Sequence, residues 1–246
     1  MLQLPDAHDG PAAPVSPARP GRLSIWVASP AEPRPCLLAD LIFRVAERHH
    51  LQASVALPAP GGWEALNIYP AEVTARPPDP LDVAVAPADS PAVAPAGEAT
   101  GSPAGEATGS PVGEATGSPA YLVRTGPAGP ADTTGLDPLA LRLALLQRPY
   151  REEAALTRDD LEVSDGQLRD WRELVGTWAQ SPSKPMCTGY AGDFLGALDD
   201  DLDTPAALRT LAALAADREI PDGSKFETFA YLDRFLALDL AREVGR

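Results

Sequence analysis

Few side chains in this sequence have the type and spacing that chemistry requires. The three histidines are His8, near the start, and the adjacent His49 and His50. The pair falls at the far end of a helical stretch, where protonated imidazole suits the helix dipole, so it reads as a solvated terminus. Cys36 and Cys187 each stand alone. Without a CxxC spacing or a Cys/His cluster they suggest neither zinc nor a disulfide framework, and Cys36 reads as a small packed hydrophobe. The run Asp199 to Asp203, DDDLD, could suggest Ca²⁺ or Mg²⁺, but it lacks the glycine and distal glutamate of a calcium loop. It reads instead as the approach to a helix start, where carboxylates suit the dipole and Thr204 caps. Trp171 and Trp178, seven apart on one helix face, read as core and not as a base-stacking platform. No Gly-rich phosphate loop, G-x-S-x-G or H-E-x-x-H occurs. The expected catalytic, cofactor-binding and metal-ligating residues are therefore none.

Composition narrows the function classes further. Of 246 residues, 35 are Asp or Glu and 20 are Lys or Arg, a formal charge of −15. Nucleic-acid binding is usually carried by excess cations, so DNA is excluded as a partner and strong general RNA binding is disfavoured. Twenty-eight prolines and an aromatic share of 6% imply a modest core with many irregular segments. Two reduced cysteines fit a cytoplasmic protein. The opening MLQLPDAHDGPAAPVSP has neither the basic nor the apolar region of a signal peptide, and no run approaches the roughly 18 apolar residues of a membrane helix.

The elements that would position a site follow from periodicity. Residues 1–21, rich in Pro, Ala and Asp, read as a disordered leader. Leu23 to Ala28 reads as a buried strand, Cys36 to His49 as an amphipathic helix, and Ala53 to Leu57 as the next strand. Strand, helix, strand at this spacing is one βαβ unit and implies a parallel sheet. Asp82 to Ala86 and Tyr121 to Arg124 are candidate further strands. Between them, PAGEATGS occurs twice and PVGEATGS once, from Pro95 to Ser118. A period of eight with Gly, Pro, Ser and Thr in every copy cannot bury an apolar face, so residues 88–119 read as a disordered insertion. From Leu136 onward the pattern is helical. Asp137 and Pro138 start a helix, Thr157 and Asp160 make a capping-box-like pair, and Ser224 and Glu227 another. The expected fold is a small reduced Rossmann-like parallel sheet, residues 22–87 and 120–127, followed by a helical bundle of about five helices, residues 136–246.

Three helical stretches carry a family resemblance. Leu136 to Val175 contains a DP-x-A-x-R-x-ALL run, then Tyr150-Arg151 and an acid-rich helix start. Leu195 to Ala215 contains an acidic triplet, then Asp203-Thr204-Pro205 and a Leu/Ala helix, with Asp203 where the family has Asn. Leu232 to Leu240, LDRFLALDL, is the third. In order and spacing this resembles the C-terminal region of cysteinyl-tRNA synthetases and of the mycothiol-pathway cysteine ligases. The N-terminal half matches less well, although LSIWVA and YLVRTG stand where that family has its first and last sheet strands.

The resemblance implies ATP as co-substrate and zinc as the ligand of the cysteine thiolate, and this sequence departs from both. The family's His-x-Gly-His turn should fall within Ser29 to Leu38, SPAEPRPCLL, which has neither residue. Its Lys-Met-Ser-Lys-Ser loop should fall within Thr125 to Pro138, which has no lysine; Lys184 and Lys225 are the only two in the chain. Ala28 and Ser29 stand where the zinc-binding Cys would be. No cofactor is therefore expected, and loss of the phosphate clamp should abolish adenylation. The reading is a catalytically degenerate relative acting as a non-enzymatic binding or scaffold protein. Its acidic balance favours a protein partner, with tRNA second. The alternative is a divergent cysteine ligase, in which Arg34, Arg44 or Asp40 would do work normally given to other residues.

Overall fold

The computed structural model describes residues 1–6, 11–90, 119–129 and 132–245. The octapeptide array lies outside them. The first element corrects the expectation of a disordered leader. Strands β1 (Gln3–Pro5) and β2 (Ala12–Pro14) pair antiparallel. Leu2 and Leu4 alternate along the chain, so both project to one side, and both are fully buried together with Val15. The Tyr121 hydroxyl accepts from the Ser16 amide and donates to the Pro14 carbonyl, each at 2.8 Å. Proline is tolerated here because a two-stranded pair is all edge.

Five strands make the parallel sheet expected from the βαβ spacing. They are β3 (Arg22–Val27), β4 (Gln52–Leu57), β5 (Glu72–Val73), β6 (Val83–Pro87) and β7 (Tyr121–Thr125), in the order β5-β4-β3-β6-β7. Ile25, at the centre, pairs with Val55 on one side and Val83 on the other. Leu23, Ile25 and Val27 join the main core, while Trp26 sits with Ala84, Ala86 and Leu122 in a second cluster. That split is the two-residue alternation of a strand buried on both faces. Between β3 and β4 runs α1 (Pro33–Arg48), which places its apolar residues in the main core. Strand order reverses at β3 and β6, the switch point whose crevice takes ligands in sheets of this kind.

Five helices follow: α2 (Pro138–Leu146), α3 (Arg158–Trp178), α4 (Thr188–Asp199), α5 (Thr204–Ala216) and α6 (Asp222–Leu236). Asp137 caps α2 by accepting from the Leu139 amide at 2.9 Å, and Thr157 with Asp160 completes a capping box on α3. Trp171 and Trp178 pack edge-on against Phe229 with centroids 6.3 and 5.1 Å away, so both are core. One cluster of buried apolar side chains runs through the sheet, α1 and all five later helices.

Two caps differ from the sequence reading. Asp203, not Thr204, caps α5, accepting from the Ala206 amide at 2.9 Å. Thr204 is buried and donates to the Leu146 carbonyl at 2.6 Å, tying α5 to α2. Ser224 and Glu227 form no capping box, because α6 begins earlier, at Asp222, after Pro221. Its start is set by docking: a Cβ on Gly223 would come within 2.0 Å of the Pro182 carbonyl oxygen. Glu227 instead accepts from the Ser183 hydroxyl at 2.7 Å.

Candidate functional site

The switch-point crevice is where sheets of this kind take a nucleotide, and its chemistry is set by the start of α1. A helix N-terminus binds anions through its unpaired amides. Here Pro33 and Pro35 remove two of the first three, and Glu32 precedes them as N-cap without a side-chain cap bond. Arg34, between the prolines, is 1% exposed. Its guanidinium donates to the backbone carbonyls of Pro149 (2.6 Å), Gly126 (3.2 Å) and Glu152. Burial, and then the charge of Arg148, lower the Arg34 pKa to about 10 against the pull of Glu152. The cation thus joins α1 to the segments on both sides of α2.

The stretch expected to hold the phosphate loop is tied down in the same way. The Gly126 amide donates to the Tyr150 carbonyl at 2.8 Å, and the Ala154 amide to the Pro127 carbonyl at 2.9 Å. A Cβ on Gly126 would fall 2.1 Å from the Glu152 carbonyl oxygen, so only glycine admits this approach. The other basic residues of that segment are also partnered. Arg148 pairs with Asp160 at 2.9 Å and Arg151 with Asp201 at 2.5 Å. Lys225 is buried and donates to the Ala215 carbonyl, over the Trp178 ring.

Asp40 and Arg44, named with Arg34 as stand-ins for missing catalytic groups, belong to a different place. Asp40 is buried and accepts from Arg142 at 2.6 Å, Arg44 at 2.9 Å and the Tyr69 amide at 2.9 Å. Arg142 also donates to the carbonyls of Leu236 and Leu66. It is 0% exposed, and burial lowers its pKa although Asp40 opposes the shift. The network joins α1, the turn before Asn67, α2 and α6. It is structural, and Arg34 is not part of it.

The described residues around Cys36 do not suit zinc. Cys36 is buried, with its sulfur 3.7 Å from the Pro30 carbonyl oxygen and the Gly61–Trp63 turn packed over it. Burial raises its thiol pKa to about 12, far from the thiolate a metal needs. Among the described residues no three His, Cys, Asp or Glu side chains are placed to hold a metal ion. The acidic run is dispersed into bonds. Asp199 accepts from His49 at 2.6 Å and Arg48 at 2.7 Å, Asp201 accepts from Tyr150 and Arg151, and Asp203 is a cap. Burial works to raise the Asp199 carboxyl, but the bonds from His49 and Arg48 outweigh it and leave it lowered. His49 is therefore half-buried and hydrogen-bonded to Asp199 rather than free in solvent.

Sequence reasoning named Arg34 only as a possible catalytic stand-in and foresaw the burial of neither Arg34 nor Arg142. Arg142 lies inside the DP-x-A-x-R-x-ALL run, where an arginine amid apolar residues was the available signal. Arg34 had none beyond its flanking prolines. Two polar atoms near the crevice, Thr125 Oγ1 and Arg34 Nε, are buried without a hydrogen-bond partner among the described residues. No described helix is long and apolar enough to cross a membrane.

Comparison with known proteins gives a partial match. No family model matches the chain. Over 111 residues it is 34% identical to the L-cysteine:1D-myo-inositol 2-amino-2-deoxy-alpha-D-glucopyranoside ligase of Thermomonospora curvata, covering 43% of this chain and 26% of that one. The ligases of the same name from Geodermatophilus obscurus and Rhodococcus erythropolis are 39% and 42% identical over 93 and 77 residues. Those matches cover 35% and 31% of this chain, and 21% and 18% of theirs. The chain spans about a quarter or less of the length of these relatives. Over about a third of its length or somewhat more, then, this protein is homologous to the mycothiol-pathway cysteine ligases.

Proposed function

We propose that this chain is a catalytically degenerate relative of the cysteine ligases and acts as a cytosolic, non-enzymatic binding or scaffold protein. One observation carries the reading. The only arginine in the first turn of α1 is buried beneath three backbone carbonyls, between two prolines. Acyl activation by ATP needs preorganised positive groups at the transferring phosphates. The Arg34 cation is committed elsewhere, and the first turn of α1 offers few amides in its place. The acidic balance of 35 Asp and Glu against 20 Lys and Arg favours a protein as partner over RNA.

Cysteine-dependent exchange of pyrophosphate into ATP tests the reading directly. The expected result is exchange no higher than without cysteine; exchange above that blank overturns it. In that case the second reading, a divergent cysteine ligase as the names of its relatives suggest, takes its place. A gel shift with total tRNA at physiological salt separates the partner classes. Tight binding there would replace a protein partner with tRNA, and capture of one protein from the native cell would support the scaffold role.

A further inference from the structure

Three arginines line one cleft of this acidic chain. It lies between the C-terminal half of α1 and the end of α6, encloses about 410 Å³, and is walled by Phe43, Arg44, Glu47, Arg48, Tyr69 and Arg234, among others. Glu47 is the one carboxylate among the lining residues. The Phe43 and Tyr69 rings stack, with centroids 4.5 Å apart and planes at 23°. Tyr69 is nonetheless 51% exposed.

The three arginines differ in what they have left to offer. Arg44 is fixed, donating to Asp40 and to the carbonyls of Arg234 and Asn67 at 2.9 to 3.0 Å. Arg48 places one nitrogen 2.7 Å from Asp199. Arg234 is exposed and has no ion-pair partner among the described residues. The C-terminal end of α1 is the negative pole of its dipole, so the arginines, not the helix, must attract an anion here. We infer that this cleft binds a nucleotide, Arg234 and Arg48 holding the phosphate while the base stacks on Tyr69. A guanidinium fork matches phosphate oxygens, and an aromatic face accepts any base. Inorganic phosphate would leave both the volume and the ring platform unused.

This site is separate from the switch-point crevice. The cleft takes its α1 residues from Phe43 to Arg48 and the crevice adjoins Pro33, roughly 15–22 Å along the helix at 1.5 Å per residue. The inference therefore does not depend on whether the chain is an enzyme. A free nucleotide and a nucleotide within an RNA chain share the chemistry that the cleft would recognise.

The test is calorimetric titration of the full chain with AMP, adenosine, inorganic phosphate and a five-nucleotide oligoribonucleotide. AMP is expected to bind saturably, with phosphate and adenosine each about tenfold weaker or more. Arg234→Ala should weaken AMP about tenfold. Tyr69→Ala should weaken AMP by a similar factor while leaving phosphate unchanged. Both side chains are exposed, and circular dichroism of each variant checks that the fold is kept. An oligoribonucleotide bound more tightly than AMP identifies RNA as the source; equal binding identifies free nucleotide. Absence of saturable AMP binding, or AMP binding that neither substitution alters, overturns the inference.

Discussion

The two ends of α1 use the same residue type for opposite ends. At its start Arg34 is enclosed between prolines and bonded to three carbonyls. Toward its finish Arg44 and Arg48 line an open cleft with Arg234. A positive charge on a helix thus says little about ligands until its partners are known. What separates the ends is desolvation. Burying a guanidinium is costly unless its donors find acceptors; at Arg34 the two terminal nitrogens take three carbonyls that a phosphate would have to displace, and only Nε is left unpartnered.

The strongest way to break that contrast lies between the ends, at the Asp40–Arg142 pair. Arg142→Met removes a buried cation, leaves Asp40 with only Arg44 and the Tyr69 amide, and deprives the Leu66 and Leu236 carbonyls of their donor. The expected cost is about 3–5 kcal/mol of stability, read from urea unfolding. A loss under about 1 kcal/mol would mean that the network is not buried as described, and Arg142 would return as a candidate for function.

Arg34→Met comes next. Three carbonyls lose a charged donor, at an expected cost of about 2–3 kcal/mol, with no effect on AMP binding in the cleft. If stability is unchanged but a nucleotide-dependent property disappears, the start of α1 is a ligand site and the contrast inverts.

How far the sequence foretold these features depends on whether a residue's role is local. The strands β3, β4, β6 and β7 and all six helices follow from periodicity, because each needs only its own residues. The Asp137 cap and the Thr157–Asp160 box were legible for the same reason. The β1–β2 pair was not, since proline-rich composition outweighed the alternation of Leu2 and Leu4, and the pair is anchored by Tyr121 far along the chain, through Pro14 and Ser16. The start of α6 was misplaced because the approach of Gly223 to Pro182 decides it. The clamp on Arg34 joins residues more than ninety positions apart, and no window of sequence contains it.

Acid should act on the far end of α1 more than on its start. The Asp199 carboxyl is held below its usual value, near 3.9, by His49 and Arg48 against the effect of burial. A folded-state pKa below the unfolded one adds stability that is fully present above the unfolded value and is lost as pH falls through the folded value. Urea midpoints should therefore fall as pH drops from about 5 towards 3, and Asp199→Asn should remove part of that fall. At pH 7 the same variant should cost about 1 kcal/mol. An unchanged acid profile in the variant would show that other carboxylates, such as Asp137 beside Arg172 and Arg242, carry the dependence.

The smallest effect sharpens the contrast most. A cysteine in the first turns of a helix normally has a lowered pKa, because the helix start and nearby cations favour thiolate. Cys36 occupies such a position yet its thiol is pushed up to about 12 by burial. The start of α1 therefore behaves as apolar core and not as an electropositive opening. At pH 8 an aromatic disulfide reagent should modify Cys187, which is half-buried, and should reach Cys36 only after unfolding. Tryptic mass mapping of the native and denatured protein distinguishes the two thiols. Modification of native Cys36 at a rate matching Cys187 would mean that the start of α1 is open and favours anions. The crevice beside it would then again be available to a triphosphate.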